Sequence, residues 1–275
     1  MGKNLYLGVN DNARKVKKIY MGVGEKARKV KKIYIGVEGK ARPCWSSAFD
    51  FSYSGNYRFT GSPDGDWAIA FWSSGTLTIR AMPTAIDVFC CGGGGNGGSG
   101  TDWNGYGGTH YDGGSGGNGG GCQWKKRVKA GEGSYSVKVG SRGESSAAFD
   151  VVGPYGSGGR GGSHGEYNGS SGGNGEYAFG EADFDVPYFG AGYRFGAGGG
   201  GGASWWRKDD GQEPHGQPGS GGASGGGRGS YYYPGNVGPT DGAENSGGGG
   251  GGGCGPYHTG GGYGASGVVI IRNAR

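Results

Sequence analysis

The residues of this 275-residue chain whose types and spacing could perform chemistry are few, and most stand among glycines. Three stretches, 113–117, 161–165 and 222–226, read G-x-S-x-G, which in a strand-to-helix turn exposes a nucleophilic serine. None sits between a strand-like and a helix-like segment, and a chain with 76 glycines produces such matches by composition. Glu181, Asp183 and Asp185 alternate and could project from one strand face. Paired carboxylates would suit a glycan depolymerase, but a solvated strand face explains the alternation more simply. Cys254 and His258 lie four apart, yet the five cysteines (Cys44, Cys90, Cys91, Cys122, Cys254) contain no CxxC, so a zinc site lacks its usual second pair of ligands. No calcium-loop motif is present either. The expectation is a protein that is not an enzyme and holds no metal or cofactor, with reduced cysteines serving as small packing residues.

A different chemistry recurs in the excursions that interrupt the glycine runs. They are Thr101–Tyr106, Thr109–Asp112, His164–Asn168, Ser204–Asp210, Ser230–Tyr233 and Pro256–His258. Tyr and Trp offer large contact areas at small entropic cost, Ser, Gly and Asn supply adaptable hydrogen bonds, and aromatic faces stack on sugars. Trp, Tyr and Arg also dominate protein-binding hot spots. The candidate receptor-binding residues are therefore Trp103, Tyr106, His110, Tyr111, Tyr167, Trp205, Trp206, Arg207, Tyr231, Tyr232, Tyr233, Tyr257 and His258. Consecutive aromatics such as Trp205-Trp206 and Tyr231–Tyr233, flanked by glycine and charge, are difficult to bury together. Tyr167 belongs to this set by its excursion, although as an isolated aromatic it reads with Tyr177, Phe179, Phe184 and Phe195 as packing over glycine segments.

The elements that must position these residues fall into three regions. Residues 1–45 repeat with a period of 14: Leu5–Val9, Ile19–Val23 and Ile33–Val37, each followed by a turn (Asn10–Asn12, Gly24–Lys26, Glu38–Lys40) and by Ala13-Arg14, Ala27-Arg28 or Ala41-Arg42. This predicts a meander of short β-hairpins in which a strand runs from Arg14 to Val23. The stem holds 12 Lys/Arg against 3 Asp/Glu, a net +9, whereas the remainder holds 15 against 19, a net −4. Residues 46–91 read as a β module with strands near 48–53, 57–59, 67–72, 76–82 and 86–90, separated by Ser62–Gly65 and Ser73–Gly75 turns. Residues 92–275 form a glycine-rich head with 66 of the 76 glycines, closed by a strand at 268–271 that would pair with 86–90. Within it, 125–130 and 134–139 read as a hairpin about Gly131–Gly133, followed by a strand at 146–152.

Such a glycine content without a three-residue Gly-X-Y period excludes collagen and would by itself suggest disorder. The 13% aromatic content argues the other way. Glycine loses more backbone entropy on folding than any other residue, so ordered runs need dense compensating contacts. Extended helices with three residues per turn, made of glycine instead of proline, supply them, because every N–H can donate to an adjacent helix. The expected class is all-β, with a head of packed polyglycine II helices and interspersed strands and hardly any α-helix.

These motifs together bring a known type of protein into view. Ile86–Gly95, the interrupted glycine runs and the closing Gly261–Arg272 resemble the glycine-rich domains of phage tail proteins, such as the tail-fibre tip adhesins of T-even-like phages. The stem units resemble Gly-Lys-Ala-Arg-Lys-Val-Lys-Lys repeats attached to such domains in phages and prophages of Gram-positive gut bacteria. The resemblance implies a virion-borne adhesin that presents variable loops to a host glycan or protein receptor, beside other tail or baseplate proteins, as monomer or homotrimer. The chain has no long apolar span and no secretory signal, so a soluble protein made in the bacterial cytoplasm and carried out on the virion is expected. The runner-up class is nucleic-acid binding through Arg160 and Arg228 in their glycine settings, but two such arginines are few, and the stem lysines read as solvated strand faces that discourage edge-to-edge aggregation.

Overall fold

The computed structural model describes residues 6–9, 12–16, 19–23, 25–30, 32–37, 39–46, 49–63, 65–81, 85–105, 108–160, 177–178, 194–208, 218–221, 226–230, 237–255 and 260–274. Among these residues there is no helix, and every strand pair is antiparallel.

The 14-residue period corresponds to one hairpin per unit. β1 (Tyr6–Val9) pairs with β2 (Asn12–Lys15), β3 (Ile19–Val23) with β4 (Lys26–Val30), and β5 (Lys32–Val37) with β6 (Lys40–Ser46). Near the turn the register is the same in all three, setting Gly8 opposite Ala13, Gly22 opposite Ala27 and Gly36 opposite Ala41; in the third hairpin it shifts between Ile33 and Tyr34. Between β5 and β6 Gly39 takes a φ of +71°, the left-handed conformation that tight hairpin turns require. The expected strand from Arg14 to Val23 is not continuous: β2 stops at Lys15, and β3 starts at Ile19 in the next hairpin. Val16, directly after β2, lies outside any strand. The hairpins form three separate two-stranded sheets instead of one meander, and Tyr20 and Met21, neighbours on opposite strand faces, are 58% and 59% exposed.

The strands expected between residues 48 and 90 are present as β7 (Asp50–Tyr53), β8 (Tyr57–Gly61), β9 (Trp67–Phe71), β10 (Gly75–Ala81) and β11 (Ile86–Cys91). Beyond them come β12 (Thr101–Gly105), β13 (Gly108–Asp112), β14 (Cys122–Val128), β15 (Gly133–Val137), β16 (Ser146–Ala148), β17 (Val151–Gly153), β18 (Tyr177–Ala178), β19 (Arg194–Phe195), β20 (Trp205–Lys208) and β21 (Val268–Asn273). A five-stranded sheet has the order β14-β11-β21-β9-β8 and a three-stranded sheet the order β15-β10-β7, so both draw strands from either side of Cys91. The expected pairing of the 86–90 strand with the last strand is found, running from Ile86 opposite Asn273 to Cys91 opposite Val268.

Two expectations fail here. β14 and β15 do not pair with each other; β14 joins β11, and β15 crosses to β10 in the other sheet. The stretch 146–152 is likewise not one strand, because Phe149 and Asp150 adopt left-handed φ values of 51° and 61° and fold it into the β16/β17 hairpin. For β14 and β15 a distant partner wins over the local pairing, whereas 146–152 folds back on itself. Ala148 and Val151 thereby enter the core between the sheets, with Ile69, Phe71, Leu77, Ile79, Ile86, Val88, Val137, Val269 and Ile271.

The central strands of the five-stranded sheet, β11, β21 and β9, are buried on both faces. Its second face carries Ala68, Ala70, Phe89, Cys91, Val268 and Ile270, capped by Phe195, whose ring meets Phe89 edge-on at 5.4 Å. Burying each such large side chain contributes roughly 1.5–3 kcal/mol. Asp87, inside β11, is 1% exposed and is held by Arg272 opposite it (Nε to Oδ2, 3.2 Å) and by the Arg127 amide (2.9 Å). A buried carboxylate without such partners would be strongly unfavourable.

The glycine segments are ordered by backbone hydrogen bonds. Amides 92, 95 and 98 donate to carbonyls 121, 118 and 115; amides 94 and 97 donate to 265 and 262; amides 114, 117 and 120 donate to 253, 250 and 247; amides 115, 118 and 121 donate to 160, 157 and 154. Every third residue thus faces the same neighbour. Segment 246–255 is bonded to 92–100, 113–121, 196–204, 226–230, 237–243 and 260–267. Those six are in turn bonded one to the next, around to the start: Gly95 N to Asn118 O, Gly199 N to Gly117 O, Gly200 N to Gly227 O, Thr240 N to Arg228 O, Gly242 N to Tyr263 O and Gly94 N to Ala265 O, at 2.8–2.9 Å. Six segments therefore enclose one. The enclosed segment contains seven consecutive glycines, Gly247–Gly253, and all its residues are buried. A Cβ on Gly249, Gly250, Gly251 or Gly252 would come closer than 3.0 Å to a neighbour's backbone.

The larger side chains stand toward the rim, while small ones such as Ala197, Ala203, Ser230 and Ala265 are buried. In 92–100 the side chains are at Asn96 and Ser99, in 113–121 at Ser115 and Asn118, and in 260–267 at Tyr263, Ala265 and Ser266. Several replace a missing backbone acceptor: Asn96 Oδ1 receives the Gly264 amide (3.0 Å), Ser115 Oγ the Arg160 amide (2.6 Å) and Thr240 Oγ1 the Arg228 amide (2.6 Å).

Candidate functional site

Chain direction places the excursions. Segment 92–100 leaves β11 next to the sandwich, and 113–121 returns into β14. The segments beginning at Pro154, Gly196 and Gly247 start at that same level, because Pro154 O accepts from Gly121 N, Gly247 O accepts from Gly120 N, and Gly196 N donates to Ser246 O. Their other ends, at Arg160, Ser204 and Gly255, lie with Gly98, Ser115 and Gly253, away from the sandwich. Ser230 lies at that end too, since its amide donates to Gly252 O.

At this distal end β12, β13 and β20 make a three-stranded sheet in that order. β12 and β13 form the hairpin that joins 92–100 to 113–121; β20 continues from 196–204 and pairs with β13 across almost 100 residues of sequence. The register sets Trp103, His110 and Trp206 in one row across the three strands. Asp102, Tyr111 and Trp205 form the adjacent row, and Asn104, Thr109 and Arg207 the row beyond the first. Strand alternation puts Trp103 and His110 on one face of the β12/β13 hairpin and Asp102, Tyr111, Asn104 and Thr109 on the opposite face.

Side-chain contacts fix Trp103 in the first row. The rings of Trp103 and His110 stack at 4.2 Å with an interplanar angle of 7°. Trp103 Nε1 donates to Oδ2 of Asp112 at 3.0 Å, and Asp112 is 4% exposed. Asp112 thus anchors the indole from beneath while its strand continues into the glycine block. On the opposite face Thr109 Oγ1 donates to Asn104 Oδ1 at 2.8 Å. The sheet is tied to the block where the Gly113 amide donates to Ser204 Oγ at 2.9 Å. A Cβ on Gly255 would touch the Tyr111 ring, so that ring lies against the end of the central segment.

Of the candidate residues, Trp103, His110, Tyr111, Trp205, Trp206 and Arg207 are therefore gathered on one small sheet. Tyr106, Tyr167, Tyr231, Tyr232, Tyr233, Tyr257 and His258 lie outside the described residues. Sequence reasoning missed the anchoring role of Asp112; its alternation with His110, directly before a glycine run, is the signal that could have found it. Among the aromatics expected to pack, Phe195 is fully buried.

The remaining motifs have structural neighbours. Ser115, in the first G-x-S-x-G, has its hydroxyl on the backbone of Arg160, at 2.6 Å from the amide and 3.2 Å from the carbonyl. The stretch 161–165 and Glu181, Asp183 and Asp185 lie outside the described residues, as does most of 222–226. Cys254 is buried and donates to Gly255 O at 3.2 Å. Among the described residues no three His, Cys, Asp or Glu side chains come together as a metal site, and no helix is long and apolar enough to cross a membrane.

No family model, curated protein or solved structure matches this chain.

Proposed function

We propose that this chain is a phage tail protein that acts as a receptor-binding adhesin, its glycine segments being polyglycine II helices packed into a stiff pedestal for aromatic loops. The three-residue period of the backbone hydrogen bonds, and the enclosure of one glycine segment by six others, support the polyglycine II reading. One observation carries the functional reading: the row Trp103, His110 and Trp206 stands on a sheet at the end of the block away from the sandwich. A rigid platform keeps the entropic cost of binding low, because its contact residues are already positioned. The partner is a host surface glycan or protein, the chemistry is binding without turnover, and the stem and sandwich connect the head to the remainder of a virion tail.

The test is competition for host attachment. Purified full-length protein should bind a susceptible bacterium and block adsorption of the parent particle, whereas the Trp205→Ala/Trp206→Ala variant should do neither while retaining its thermal midpoint. Full blocking by that variant, or release of new reducing ends from host glycan by the wild-type protein, would refute the adhesin assignment.

A further inference from the structure

We infer that Cys91 and Cys122 are a redox-responsive pair that closes into a cross-strand disulfide under oxidising conditions and clamps the base of the glycine block. The pairing rests on the β11/β14 ladder alone and is independent of the adhesin reading.

The two cysteines are directly opposite each other in the last pair of that ladder. One residue further on, the Gly92 amide donates to Gly121 O at 3.1 Å. Hydrogen-bonded and non-hydrogen-bonded positions alternate along an antiparallel pair, so 91/122 is of the non-hydrogen-bonded kind, with Cα atoms about 4.5 Å apart. A disulfide needs roughly 4.4–6.8 Å. Both side chains also lie on the same sheet face, in the cluster with Phe89 and Phe195. Cys90 points into the opposite core, beside Ile69 and Val88, and cannot compete for either sulfur without turning its strand over.

The position gives the bond a consequence. Segment 92–100 begins after Cys91, and segment 113–121 ends before Cys122. The Cys91 sulfur lies 3.6–3.7 Å from the carbonyl oxygens of Gly92, Gly120 and Ser246, which belong to three different glycine segments. A bond here pins the start of the block to the sandwich and closes the whole distal hairpin into a covalent loop.

The reaction balances as thiol–disulfide exchange with a small-molecule disulfide. Cys122, the less buried of the two, attacks as thiolate and expels one small thiolate, giving a mixed disulfide. The Cys91 thiolate then attacks the Cys122 sulfur and expels the second. Two protein thiols are oxidised, one small disulfide is reduced to two thiols, and the two protons pass to the leaving groups. Burial, reinforced by the neighbouring Cys122, raises the Cys91 thiol well above its ordinary pKa. Closure is therefore slow near neutrality and accelerates with pH, because the thiolate is the attacking form.

The full-length protein incubated with oxidised glutathione, then blocked with an alkylating agent and cut with Asp-N endoproteinase, tests this. Cleavage before Asp102 and Asp112 separates the peptide holding Cys91 from that holding Cys122. The expected result is one intramolecular link between those peptides that persists in Cys90→Ala and disappears in Cys122→Ala, with a thermal midpoint raised by about 5 °C or more over the reduced protein. Complete alkylation of both cysteines after oxidation, a link that requires Cys90, or only intermolecular links would overturn it. Cys90 and Cys91 share the peptide 87–101, so fragmentation of the linked wild-type peptides between these two residues locates the bond without depending on a variant folding.

Discussion

The sandwich and the glycine block solve the same problem with opposite materials. In the sandwich, Ile69, Phe71, Leu77, Val88 and Ile271 exclude water by filling space with side chains, and the backbone is satisfied within two sheets. In the block buried side chains are few and small, such as Ala197 and Ser230, and close approach of one backbone to another excludes water instead, with carbonyls and amides satisfied between segments. The sandwich spreads its stability over side chains of differing size, so volume errors can be partly absorbed by repacking. The block has no such reserve, since a single Cβ meets backbone, and backbone cannot rotate away. A side-chain core is plastic and a backbone core is brittle.

That contrast orders the expected effects of substitution. The largest is at the enclosed segment: a Cβ on Gly251 would lie closer than 3.0 Å to the Arg228 carbonyl, so Gly251→Ala should cost at least about 4 kcal/mol or prevent folding of the block. Gly131, with nothing within 4 Å of an added Cβ, is its control, and Gly131→Ala should move stability by less than about 0.5 kcal/mol. Chemical denaturation of both variants decides this; equal tolerance at the two positions would break the comparison.

Next comes the sandwich. Phe71→Ala removes a fully buried ring and should cost about 3–4 kcal/mol, leaving a folded protein with a lowered denaturation midpoint. A loss larger than that of Gly251→Ala would reverse the ranking of plastic and brittle cores.

The smallest effect concerns pH. Burial pushes the Cys90 thiol from 9.0 up to about 12. The unfolded chain loses this proton first, so the contribution is fully present below pH 9 and fades as pH rises from there toward 12. At pH 10 the loss is roughly 1.4 kcal/mol. Cys90→Ala should flatten that part of the stability profile, read from denaturation midpoints between about pH 8 and about 10.5; an unchanged slope would remove Cys90 as its source.

Much of the sandwich was legible in the sequence, because β9, β11 and β21 are short, nearly continuous apolar runs of the kind that are buried on both faces. The partners of β14 and β15 were not, since Gly131–Gly133 is a strong local turn signal and the pairing that wins is long-range. For the block, the three-residue spacing of Asn96 and Ser99, and of Ser115 and Asn118, already marked which positions face outward. The unbroken Gly247–Gly253 likewise marked the segment with no outward position. The aromatic excursions could be read one by one, but the junction of β13 with β20 could not, because nothing in the local sequence of either specifies the other.

Amide hydrogen exchange across Gly247–Gly253 tests the central claim most directly. An enclosed, backbone-bonded segment predicts protection at these glycines comparable to that of β11 and β21, lost only on global unfolding. Exchange of the same amides at rates typical of an unstructured chain, while β11 and β21 remain protected, would contradict it.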